Sequence, residues 1–113
     1  MQDCLFCKIA SGDIPADIVY RDEYALAFRD INPQAPTHLV IIPLRHIQKV
    51  TDIDIDDLHI MGYLFFVAKK VAGDLPVSDG FRLAINCGKD AGQEVQHIHM
   101  HMLGGRPLGW PPG

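Results

Sequence analysis

Three histidines alternate with apolar residues in His97-Ile98-His99-Met100-His101-Met102-Leu103, and Gly104 and Gly105 close the run. In a strand, successive side chains point to opposite faces. The three imidazoles therefore share one face, each about 6–7 Å from the next, while Ile98, Met100 and Met102 turn towards a core. Two chemistries use such a row. Three neutral imidazoles can hold a catalytic metal with an open position. Alternatively, one imidazole is a nucleophile or base, and its neighbours orient it and carry protons. A merely histidine-rich polar face is the third reading. It fits poorly, because three of only six histidines in the chain fall in this one run.

Other polar residues fall where they could join the row. His38 starts one strand-like run, Asn86 ends another, and Gly92-Gln93-Glu94-Val95 leads into the histidines. If these strands are neighbours, imidazoles, an amide and loop N–H groups meet at one mouth. Backbone N–H groups of a glycine-bearing loop bind anions, so this mouth suits attack on phosphorus or another anionic centre. A separate constellation is Cys4-Leu5-Phe6-Cys7. With an odd total of three cysteines, and no basic and apolar leader at Met1-Gln2-Asp3-Cys4, the pair reads as metal ligands rather than a disulfide. Two small buried thiols are the plainer alternative.

The surrounding elements must position these groups. Cys4 to Ala10 reads as one or two helical turns stopped by Gly12, and Pro15 prevents continuation. Ile18-Val19-Tyr20 and Tyr24-Ala25-Leu26-Ala27-Phe28 form a hairpin about Arg21-Asp22-Glu23. Asp30 to Thr37, with Pro33 and Pro36, is a loop. His38-Leu39-Val40-Ile41-Ile42-Pro43 is apolar on both faces and reads as a central strand buried on both sides. The acids between Asp52 and Asp57 supply caps for a helix from about Asp56 to Gly73. Leu58, Met61, Leu64, Phe65, Ala68 and Ala72 form its core face. Ile60, Tyr63, Phe66 and Val67 lie outside that face. This is more apolar surface than one small sheet covers, and it predicts a homodimer contact. Deeper burial within one subunit is the alternative. Gly80 to Asn86 is a further strand, with Cys87 a small half-buried strand residue, and Gly88 to Gln93 is a glycine-flanked loop. The tail Arg106 to Gly113, carrying Trp110, Pro111 and Pro112, is an extended arm. About five mostly consecutive strands against one long helix and a short N-terminal helix give an α+β class with an antiparallel sheet.

Composition narrows the function. The 113 residues make one domain, residues 1–113, and 48% hydrophobic content fits a globular core. The net charge of −4, with no Lys/Arg run beyond two residues, argues against long nucleic acids but not against a small nucleotide. No apolar run approaches the roughly 20 residues of a membrane span. A cytoplasmic protein without membrane or nucleic-acid partners is expected.

The run His97-x-His99-x-His101-x-x, with x apolar, resembles the signature of the histidine triad (HIT) superfamily. The stretch Phe28-Arg29-Asp30-Ile31-Asn32-Pro33-Gln34-Ala35-Pro36-Thr37-His38, the pair Gly92-Gln93 and the ending Leu103-Gly104-Gly105-Arg106…Trp110-Pro111-Pro112-Gly113 are similar to its Hint-like branch. The resemblance spans essentially the whole chain. It implies a HIT fold dimerising into one continuous sheet. It also implies hydrolysis of purine nucleoside 5′-phosphoramidates, such as AMP joined to an amine or to lysine. On this resemblance His99 attacks the α-phosphorus to form a nucleotidyl-histidine, which water then cleaves. His101 contacts the phosphate, His97 and His38 orient the site, and Asn86 sits on the leaving-group side. Asp30 binds the ribose hydroxyls with the backbone of Ile31, and Leu5, Phe6, Ile9, Phe28 and Val40 form the base pocket. Gly92, Gln93, Glu94, Val95 and Trp110 complete the substrate contacts. Catalysis needs no cofactor. A structural zinc on Cys4, Cys7, His46 and His97 is implied separately, with His59 a weaker candidate. Many Hint-like proteins carry Ser or Thr where this chain has Glu94. A glutamate carboxylate cannot donate to a phosphate oxygen, so the preferred amine is expected to differ. Two rival readings remain: a metallo-hydrolase using His97, His99 and His101, and a nucleotide-binding interaction protein with incidental hydrolysis.

Overall fold

The computed structural model describes residues 3–113. Helix α1 (Leu5–Ser11) is capped by Cys4, whose Sγ accepts from the Cys7 N–H at 3.3 Å, and is closed by Gly12 at φ 87°. That left-handed value favours glycine. Strands β1 (Ile18–Arg21) and β2 (Ala25–Arg29) form the hairpin. Asp22 sets its turn, accepting from the N–H groups of Tyr24 and Ala25 at 2.8 and 2.9 Å. Strand β3 (Thr37–Pro43) follows, and all seven of its residues are buried. Helix α2 (Leu58–Ala72), strand β4 (Phe81–Ala84) and strand β5 (Met100–Gly104) complete the chain. The sheet is antiparallel, in the order β1-β2-β3-β5-β4.

Alternation along the strands builds two apolar layers. Ala25, Ala27, Leu39, Ile41, Met100 and Met102 face α2 and pack on its Leu64, Val67, Ala68 and Val71. Leu26, Phe28, Val40 and Ile42 face the other way, beneath Phe6 and Ile9 of α1. This division is why β3 is apolar throughout. It also puts the histidine side of β5 under the short N-terminal helix rather than under the long one.

Three expectations are corrected here. The core stripe of α2 is Leu64, Val67, Ala68 and Val71 at helical i, i+3, i+4, i+7 spacing, so Val67 points inward. Leu58 and Phe65, expected in the core, are 57% and 55% exposed, and Phe66 joins them at 48%. An all-round apolar helix has no unique face in sequence, and packing against the sheet selects the stripe that includes Val67 and Ala68. Secondly, β5 begins at Met100, and His97 to His99 form a lead-in outside the ladder. Its partner β3 ends at Pro43, which has no N–H to offer. The Ile98 N–H instead donates to the carbonyl of Ile47 at 2.6 Å. Strand β4 is likewise shorter than expected, leaving Asn86 and half-buried Cys87 beyond its end.

Candidate active site

A cavity of about 820 Å³ opens on the α1 side of the sheet. Leu5, Phe6, Ile9, Phe28 and Val40 give it an apolar wall. Asp30, Ile31, His38, Asn86, Gly92, Glu94, Val95, His99 and His101, all expected from the sequence, line the rest. Phe6 is the keystone of the wall, with its ring edge-on to Phe28 and His99 at 5.5 and 5.0 Å between centroids.

The hydrogen bonds fix where the imidazole protons sit. His99 Nδ1 lies 2.7 Å from the carbonyl oxygen of His97, which only accepts. Nδ1 therefore carries the proton, and Nε2 keeps its lone pair. The His99 and His101 rings meet at 4.9 Å, closer than ideal strand spacing, because His99 precedes the ladder. His38 Nδ1 accepts from the Gln34 N–H at 3.0 Å, so the His38 proton is on Nε2 and donates to His101 Nδ1 at 2.9 Å. His101 is left with its proton on Nε2, as a donor. Asp30 sits beside this pair, its Oδ2 3.4 Å from His38 Nε2 and 4.0 Å from His101 Nδ1. Its Oδ1 accepts from the Asn32 N–H at 2.9 Å.

Burial pushes the His38 pKa down against the pull of Asp30. It takes His101 to about 4, with the neighbouring His99 and His38 adding to the effect and Asp30 opposing it. The two rings are thereby kept neutral, as a donor chain requires.

His97 does not line this cavity with the other two. Its ring is fully buried, and its Nε2–H donates to the carbonyl of Pro43 at 2.8 Å. The Nδ1 lone pair then faces Cys4 Sγ at 3.3 Å, Cys7 Sγ at 3.5 Å and His46 Nδ1 at 3.1 Å. The three triad rings are therefore not one ligand set. Cys4, Cys7, His46 and His97 are, with their donor atoms within 4.8 Å of one another. A tetrahedral zinc with bonds of about 2.0–2.3 Å needs donor edges of about 3.3–3.8 Å. The donors approach that spacing, and the His97 tautomer has its free nitrogen on the correct side. Burial, with Cys4 adding to it, pushes the Cys7 thiol up. A bound dication would reverse that by stabilising thiolates. Burial likewise drives the His97 pKa down to about 4, against the Pro43 carbonyl. His59 is on exposed α2 surface and outside this group.

Two expected substrate contacts are placed elsewhere. Gln93 is buried as a clamp: its Oε1 accepts from the Gly88 N–H at 2.9 Å, and its Nε2 donates to the carbonyls of Gln48 and Val95 at 2.8 and 3.0 Å. It shapes the loop that carries Glu94. Trp110 is 82% exposed on the tail and does not line the cavity. Conversely, Ile14, Pro15, Ala16 and Gln34 line the cavity without having been expected. The apolar run just past the α1 stop is a signal for the first three. Gln34 acts on His38 through its backbone, which no residue type announces.

The HIT domain family model matches residues 11–108. The chain belongs to the HIT family. An uncharacterized HIT-like protein of Synechocystis is 48% identical over 112 residues, covering 99% of this chain and 98% of that protein. Among solved structures, a HIT family hydrolase from Legionella pneumophila superposes with a TM-score of 0.96 at 52% identity, covering 98% of this chain and 100% of that one. A histidine triad protein from Clostridium difficile gives 0.93 at 43% identity, with 96% of each chain covered. The five-stranded sheet with its long helix and short N-terminal helix is the HIT fold.

The depressed pKa of His101 has a consequence for HIT-domain stability. Above about 6.5 the ring is neutral both folded and unfolded, and it contributes nothing to pH dependence. As pH falls towards about 4, the unfolded chain takes up the proton first, so folding stability drops. Solvent screening reduces the expected loss to about 1–2 kcal/mol. Denaturant unfolding of wild type and His101→Gln between those pH values should show a shallower decline in the variant. Parallel declines would contradict the assignment.

Proposed function

We propose that this HIT protein hydrolyses purine nucleoside 5′-phosphoramidates, as in the Hint-like branch, through a nucleotidyl-histidine on His99. The observation that carries the reading is the His99 tautomer: Nδ1–H is committed to the His97 carbonyl at 2.7 Å, so the Nε2 lone pair is available on a ring that lines the cavity. The hydrolase named for the Legionella structure supports the same reaction class.

The chemistry follows from the proton positions. A purine base enters between Phe6, Ile9, Phe28 and Val40, and the Asp30 carboxylate accepts from the ribose hydroxyls. His101, a donor through Nε2–H, takes a phosphate oxygen. The His99 Nε2 lone pair forms a bond to phosphorus as the phosphorus–amine bond breaks. The leaving nitrogen keeps the electron pair and takes a proton. Water then adds to phosphorus, releasing His99 and the nucleoside monophosphate. One hard displacement becomes two easier ones.

We also assign zinc to Cys4, Cys7, His46 and His97. When bound, it supplies no Lewis acid to the reaction but ties α1, which carries Phe6, to the segment that orients His99. The exposed Leu58, Phe65 and Phe66 of α2 are assigned to a homodimer contact, and edge strand β4 to the continuation of the sheet into the partner.

His99→Ala should lower turnover of an AMP-amine conjugate by a factor of about 10³ or more. Rapid quench of the wild type should trap one nucleoside monophosphate per chain, and none in the variant. Near-normal turnover by His99→Ala would refute the role. Native mass spectrometry of protein purified without chelator should give a two-chain mass carrying two zinc ions. A zinc-free species, or a monomer at micromolar concentration, would remove the corresponding assignment.

A further inference from the structure

The cavity has two chemically different ends, and the strand order separates them. Strands β2 and β3 bring Phe28 and Val40 to one end, beneath α1. Strand β5, with His101, comes next in the sheet, and β4 lies beyond it. The segment leaving β4 and the loop entering the histidines supply the second end, with Asn86, Gly92 and Glu94. The reacting imidazoles thus stand between an apolar end and a polar one. With base and ribose at the first, in-line displacement at phosphorus directs the leaving amine away from His99 and towards the second.

The charges around the cavity are unequal in their partners. Asp17 is paired with Arg29 at 3.6 Å, and Asp30 sits 3.4 Å from His38. Glu94 is exposed and, among the described residues, enters no ion pair. It is not on a slack loop, because the buried side chain of Gln93 holds Gly88, Gln48 and Val95 around it. A carboxylate is therefore held at the leaving-group end, where the substrate also brings a phosphate anion. Among the described residues, the only Lys or Arg lining the cavity is Arg29, which is paired with Asp17.

We infer that Glu94 selects phosphoramidates whose leaving amine carries a second, remote ammonium, as in the conjugate of a nucleoside monophosphate with a diamine. The inference rests on the phosphoramidase reading. The remote ammonium keeps its protons throughout. It pairs with Glu94 while the other nitrogen leaves phosphorus with the bonding electron pair and gains one proton. An anionic leaving group is repelled by the same carboxylate.

Three adenosine 5′-phosphoramidates of matched chain length test this: those of butylamine, of a diaminobutane and of an aminobutyrate. Wild-type kcat/KM should fall in the order ammonium, neutral, carboxylate, by about threefold to fivefold per step, the scale of an exposed ion pair. Added salt should compress the series. Glu94→Asp should keep the order, Glu94→Gln should bring the ammonium-to-neutral ratio to about one, and Glu94→Lys should invert it. An unchanged ratio in the Gln and Lys variants, with the butylamine conjugate still turned over, would overturn the role of Glu94 alone. Failure of the wild type to turn over any of the three would overturn the phosphoramidase reading and this inference with it.

Discussion

The contact on which the site depends joins two residues of the same short segment: the His97 carbonyl accepting from His99 Nδ1 at 2.7 Å. It occurs because His97 to His99 lie outside the β5 ladder, where a backbone carbonyl is free to turn towards a side chain. Pro43 produces that freedom twice over. Lacking an N–H, it ends the β3–β5 pairing, and its own carbonyl accepts from the His97 Nε2–H at 2.8 Å. The His97 ring is thereby held in place with its other nitrogen towards Cys4, Cys7 and His46. One residue serves two sites, presenting its ring to a ligand cluster and its carbonyl to the nucleophile.

The rest of the fold maintains this arrangement. The sheet buries one layer against α2 and leaves the other to α1, a helix of seven residues that could not stand alone in water. Its contribution to the cavity depends on being fixed along its length: by Gly12 at its C-terminus, by Cys4 at its N-cap, and by Cys4 and Cys7 facing His97. Phe6 then packs its ring edge against His99. Removing any of these anchors would blur the apolar wall and the orientation of the nucleophile together.

Much of this was legible from residue types. The apolar run from His38 to Pro43 marked the central strand, the Gly12 stop marked the end of α1, and the alternation around His99 marked the chemistry. What escaped was information that side chains do not carry. The α2 helix is apolar around most of its circumference, so only packing could select Val67 over Phe65 for the core. The three histidines look equivalent by spacing, and only the family resemblance set His97 apart with the cysteines; the ladder ends between the second and third, and the first ring joins Cys4, Cys7 and His46. Gln34 acts through its N–H, and Gln93 spends its amide on backbone groups rather than on the cavity.

The central claim is that His99 stands at neutral pH with its proton on Nδ1 and a free Nε2. Nitrogen-15 NMR of histidine-labelled protein reads this directly, with the His99 signals identified by their loss in His99→Asn. The account predicts a protonated Nδ1 and an Nε2 with the shift of an unprotonated imidazole nitrogen. A proton resident on Nε2 would contradict it, because the lone pair would then face the His97 carbonyl and no nucleophile would be presented to the cavity.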